Sequence, residues 1–157
     1  MTEASQPSAH VAEDDPSIPD DEILYRRLSY DYDQAWVVRD LVTGQRVKPA
    51  SGAFKPDADG MSVFRHSLLA ELEPPLGAAD LVVAPENAVV GFTVEDLRSL
   101  LFGVKDDQWP GDVRDPKNPI YAAHALIKGL GELGTKERKR RQKQLSELPS
   151  MTFAHVP

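Results

Sequence analysis

Alternation of apolar and polar residues starts at Ile23. Leu24, Arg26 and Leu28 fall on one face of an extended segment and Ile23, Tyr25 and Arg27 on the other, which predicts a first strand over 23–28. Trp36-Val37-Val38 predicts a short strand, and Thr43-Gly44 turns the chain into a further extended piece at Gln45-Arg46-Val47. Residues 48–60 hold two prolines and two glycines and read as loop. Met61-Ser62-Val63-Phe64 predicts a buried strand, and residues 67–72 a short helix stopped by Pro74-Pro75. Leu81-Val82-Val83 and residues 88–92 are rich in β-formers.

Thr93 is placed to cap a helix from Val94 to about Leu101, with Asp96 where a capping box usually carries Glu or Gln. Leu97, Leu100 and Leu101 form its apolar stripe and Gly103 ends it. Residues 105–119 are polar and read as an exposed loop. Residues 120–130 fit either element: the alanines favour helix, while the short length and the flanking Pro119 and Gly129 leave strand open. Thr135 to Leu148 predicts a helix with Thr135 as N-cap and Pro149 as terminator. Strand candidates precede the best helices, so the expected fold class is α+β: a single small domain with a mixed or antiparallel sheet and two or three helices.

Charge divides this chain into three pieces. Its formal net charge of −7 equals the seven acidic residues of 1–22, which contain no Lys or Arg; the remaining 18 acidic and 18 basic residues balance. Residues 1–22 are expected to be a disordered acidic leader, 23–134 the α+β domain, and 135–157 a basic helix and tail. Cysteine is absent, which excludes disulfides and thiolate chemistry. No basic and apolar start marks a secretory signal, and no apolar run nears the ~20 residues of a membrane helix. The expectation is a soluble cytoplasmic protein without membrane contact.

Candidate chemistry is sparse. Lys136, Arg138, Lys139, Arg140, Arg141 and Lys143 form a basic block, with Arg138, Arg141 and Leu145 near one helix face. It reads as a partner-binding segment, with nucleic-acid phosphates as the alternative partner, a merely solvated helix as the plainer reading, and the acidic leader as a rival cover. His124 lies in an apolar setting and is either a buried, hydrogen-bonded histidine or a general base. Asp106, Asp107, Asp112 and Asp115 read as solvated loop. No zinc, calcium, P-loop, dinucleotide or nucleophile-elbow motif occurs, so neither metal nor cofactor is expected. Ser51 sits in Pro49-Ala50-Ser51-Gly52-Ala53-Phe54, either presenting a hydroxyl or lying in a loop anchored by Phe54.

Asp20-Asp21-Glu22-Ile23-Leu24-Tyr25-Arg26-Arg27 resembles the opening of a group of small bacterial proteins. Matching strings follow at Pro49 to Phe54, at Ser62-Val63, and at Asp115-Pro116-Lys117-Asn118-Pro119 with His124-Ala125. The chain departs from that pattern at Ala50 and by the insertion 120–123. The resemblance implies a shared fold unit and no activity. Two functions stand. The first is a non-enzymatic interaction or accessory protein of a bacterial operon, using the leader or the basic helix to bind a partner protein. The second is a small nucleotide-binding enzyme similar to ADP-ribosyltransferases, which place an arginine on their first strand; Arg26 or Arg27 with Ser51 map onto that arrangement, with Glu95 a stand-in for the catalytic glutamate.

Overall fold

The alternation that opens the sequence forms the middle of a sheet. A computed structural model describes residues 12–29, 37–39, 41–43, 46–56, 60–82, 87–108 and 119–155. β1 (Ile23–Ser29) pairs along its length with β5 (Asn87–Thr93), and at Leu24 and Tyr25 with β4 (Met61–Arg65). β7 (His124–Lys128) flanks β4, β6 (Gly103–Asp106) closes that edge, and β8 (Thr152–His155) lies outside β5. The six-stranded order is β6-β7-β4-β1-β5-β8, antiparallel throughout. β2 (Val37–Arg39) and β3 (Arg46–Pro49) make a separate antiparallel pair. With three α-helices among the described residues, this is the small single-domain α+β fold that the order of elements predicts.

Period-2 alternation buries both faces of the sheet. On the first face Leu24, Leu28, Met61, Val90 and Ile127 meet α2 (Val94–Ser99), α3 (Thr135–Leu145) and a 3-10 turn, Ser51–Phe54. Phe54 is wholly buried there. On the second face Tyr25, Phe64 and Val89 pack with Leu69 of α1 (His66–Leu69), Leu81, Ile120 and Ala123. The last three belong to 3-10 turns at Ala78–Leu81 and Pro119–Ala123. Leu81 therefore ends a turn, where the β-rich string predicted a strand.

Several local signals resolve differently once the chain packs. Thr93 caps α2 by accepting from the Asp96 amide at 3.3 Å, but the Asp96 carboxylate turns away to the Ser150 amide (2.9 Å) and hydroxyl (2.5 Å). Ser150 in turn accepts from the Thr93 amide, so the end of the chain completes the cap. Gly134, not Thr135, is the N-cap position of α3. In the ambiguous stretch 120–130, residues 124–128 are strand, because Ala125 and Ile127 bury against the first face while the segment pairs with β4. Burial outweighs the weak helical preference of alanine. Residues 105–106 of the expected loop belong to a strand that starts at Gly103, residues 152–155 of the expected tail form another, and the two extend the sheet at both edges. Residues 145–155 are thus packed with the sheet: Leu145 and Leu148 are buried in the same cluster as β1, and 152–155 pair with β5. The part of the acidic loop at 109–118 lies outside the described residues.

The acidic leader is likewise docked from residue 12 onward, while residues 1–11 lie outside the described residues. Ile18 is 1% exposed and sits in the main core. The Asp15 amide donates to the Val104 carbonyl (2.8 Å), and the Asp14 carboxylate accepts from the Val104 amide (2.9 Å), so this segment pairs with the edge of β6. Gly103 permits that approach, because a Cβ there would overlap the Glu13 carbonyl. Four acids of the leader expected to be disordered are ion-paired here: Glu13 with Lys105 (2.6 Å) and Lys128, Asp14 and Asp20 with Arg98 (3.3 and 2.7 Å), and Glu22 with Arg65 (2.9 Å). None of these cations belongs to the basic helix.

A pH dependence follows. The Lys105 ammonium, by hydrogen bond and by charge, holds Glu13 below the usual carboxylate range, and the Ser17 hydroxyl and amide do the same for Asp15. Folded-state values depressed in this way favour docking above the ordinary carboxylate pKa, a contribution lost as pH falls through the folded values. Acidification from about pH 6 to about pH 3 is expected to lower the amide protection factors of Asp15 and Val104, each taken against the intrinsic exchange rate at that pH, ahead of those of β1. Uniform exchange across both sites and β1 would remove this account.

Candidate functional site

The second face of the sheet carries more polar chemistry than a covering layer requires. β4 and β7 pair with Phe64 opposite His124 and Ser62 opposite Leu126, which sets Ser62 and His124 diagonally on one face. The Ser62 hydroxyl lies 2.5 Å from His124 Nε2. His124 Nδ1 lies 3.0 Å from Asp107 Oδ2 and 3.2 Å from the Asp107 carbonyl. Asp107 follows β6 directly, and its amide donates to the His124 carbonyl (3.0 Å), so the backbone ladder brings its carboxylate beside the ring. Ser62, His124 and Asp107 thus form one hydrogen-bonded chain across three strand ends.

Aromatic rings fix the imidazole. Phe64 and Tyr121 stand 5.6 and 5.8 Å from the His124 ring centre, and the His124 side chain is only 4% exposed. Asp107 retains 39% exposure, so the outer member of the chain touches solvent. Arg27 lies on the same face, its Cζ 5.4 Å from the centre of the Phe64 ring and its Nη2 donating to the Tyr121 hydroxyl at 3.4 Å. Nearby, the Tyr25 hydroxyl and His66 Nδ1 are 3.0 Å apart, and burial, followed by the Glu22 charge, raises the Tyr25 pKa.

Arg26 supports this face from behind. It is 8% exposed, and its Nε, Nη1 and Nη2 donate to the carbonyls of Ala53 (2.8 Å), Ser62 (2.9 Å) and Lys55 (3.2 Å). Its planar fork therefore ties the Ser51–Phe54 turn to the backbone of Ser62. Arg65 gives a second brace: burial opposes its charge, but the Glu22 and Asp106 carboxylates more than offset this and raise its pKa.

The residues singled out in the sequence separate accordingly. Arg27 and His124 share the second face through Tyr121 and Phe64. Arg26 faces the opposite way with its guanidinium on backbone carbonyls, and Ser51 is exposed at a turn packed beneath α3. Arg27 and Ser51 therefore lie on opposite faces of the sheet, while Arg26 reaches the turn that holds Ser51 but commits its guanidinium to backbone carbonyls. Ser62 and Asp107, which sequence reasoning passed over as candidates, do converge on His124. Among the described residues no group of three or more His, Cys, Asp or Glu could hold a metal ion, and no helix is long and apolar enough to cross a membrane. No protein-family model, curated protein or solved structure matches the chain.

Proposed function

We propose that this chain is a small hydrolase acting on esters through Ser62. The observation that carries the reading is the Ser62–His124–Asp107 chain, with 2.5 Å between nucleophile and base and 3.0 Å between base and orienting carboxylate. In this reaction Ser62 Oγ adds to the ester carbonyl carbon while its proton passes to His124 Nε2. The C–O bond to the alcohol breaks and the alcohol departs with that proton. Water then adds to the acyl-serine, gives its proton to His124, and releases the acid and the free hydroxyl. Asp107 holds Nδ1–H and so leaves Nε2 facing Ser62. Arg27, beside Tyr121, supplies a cation for a carboxylate or phosphate elsewhere on the substrate.

Treating the full chain with a fluorophosphonate tests the nucleophile, because Ser62 Oγ displaces fluoride from phosphorus to form a stable adduct. Peptide mapping is expected to find the adduct on Ser62, to lose it in Ser62→Ala and to find it slowed in His124→Gln. Labelling elsewhere, or none, rejects the proposal.

A further inference from the structure

The six cations of the basic block do different jobs. Arg138 donates to the Leu133 carbonyl (3.1 Å), Arg141 to the Leu100 carbonyl (3.1 Å), and Gln142 to the Phe54 carbonyl (3.0 Å), while Leu145 is fully buried. These residues fasten α3 to the domain. Lys136, Lys139, Arg140 and Lys143 are exposed. Their spacing of i, i+3, i+4 and i+7 confines them to an arc of about 100° opposite the buried face, over about 10 Å of helix. Glu137 takes part of this charge by pairing with Arg140, and Glu147 approaches Lys143 at 3.5 Å. Lys136 and Lys139 make no ion pair among the described residues.

We infer that this outer face of α3 binds the phosphate backbone of duplex nucleic acid without regard to base sequence. Two observations favour phosphates over a protein. The one apolar residue in α3 is Leu145, and it is buried, so the face offers no apolar or aromatic anchor of the kind that forms the centre of protein interfaces. Its flexible lysines suit hydrated, regularly spaced phosphates, where released counterions supply the affinity. Four of the six acids of residues 12–22 are held elsewhere, Glu13 by Lys105 and Lys128, Asp14 and Asp20 by Arg98 and Glu22 by Arg65, and the segment docks on the β6 edge away from this face. The net charge of −7 works against any polyanion, so binding is weak and confined to low salt.

The test is anisotropy of a fluorescent duplex of about 20 base pairs with the full chain, from about 20 to 200 mM salt. Three to four phosphates neutralised correspond to a log–log salt slope of about −3. The variant K136E/K139E/K143E is expected to bind at least about tenfold more weakly with a flatter slope, and K136R/K139R/K143R within about twofold of the native chain. Equal melting temperatures show that the variants are folded, as exposed substitutions on an anchored helix should be. Absence of native-chain binding at the lowest salt, or equal binding by the Lys→Glu variant, overturns the inference. Tighter binding of charge-matched polyglutamate also overturns it and transfers the face to an acidic protein partner.

Discussion

Ser62→Ala is expected to lower kcat/KM for short aryl esters by about a thousandfold or more, because the group that forms the covalent bond is gone. His124→Gln should cost a similar factor, since glutamine cannot take the serine proton. Asp107→Asn should cost about a hundredfold or more, because a neutral amide no longer stabilises the imidazolium and its NH2, donated to Nδ1, favours the wrong tautomer. The double variant Ser62→Ala/His124→Gln is expected to be no slower than either single one, because residues acting as one unit lose their effect together. A merely structural hydrogen-bond chain behaves otherwise. There, Ser62→Ala would leave esterase rates within a factor of ten of the native chain and would show mainly in the melting temperature. Stability separates the two directly: deleting one hydroxyl is expected to cost about 1 kcal/mol.

Arg26→Met is expected to destabilise the fold by about 3 kcal/mol or more, the largest effect of any single polar substitution considered. Methionine matches much of the volume but leaves the carbonyls of Ala53, Lys55 and Ser62 without the donors they have at 2.8–3.2 Å. Each buried acceptor left unsatisfied costs about 1–3 kcal/mol. Arg26→Lys should recover only part of this, because a point-like ammonium cannot reach three diverging carbonyls as a fork does. Denaturant unfolding measures both variants. A midpoint for Arg26→Met equivalent to less than about 1 kcal/mol of loss would mean that water replaces the guanidinium at no cost. Because Arg26 holds the Ser62 backbone, Arg26→Lys is also expected to slow ester hydrolysis with KM little changed, although it touches no substrate.

Much of the fold was legible because its signals are local. The two faces of β1, the Thr93 cap and the placing of Arg138, Arg141 and Leu145 on one helix face all follow from signals within about a dozen residues, whereas the use of Arg138 and Arg141 to fasten the helix, instead of binding a partner, does not. Those local features are present in the structure. Residues 12–22 misled for the same reason. Their composition reads as unfoldable, yet one isoleucine and a row of acids suffice when an open strand edge and four cations lie opposite.

By itself, then, the sequence determined the α+β class, most element types and the amphipathic division of α3, since each depends on neighbours along the chain. The candidate site was decided by tertiary structure. Ser62 and His124 stand 62 residues apart and Asp107 and His124 stand 17 apart. Only the register of β4, β7 and β6 puts them in one line. That register is set by burial of Val63, Ala125 and Ile127 on the opposite face, and a slip of one residue would turn Ser62 and His124 toward the core.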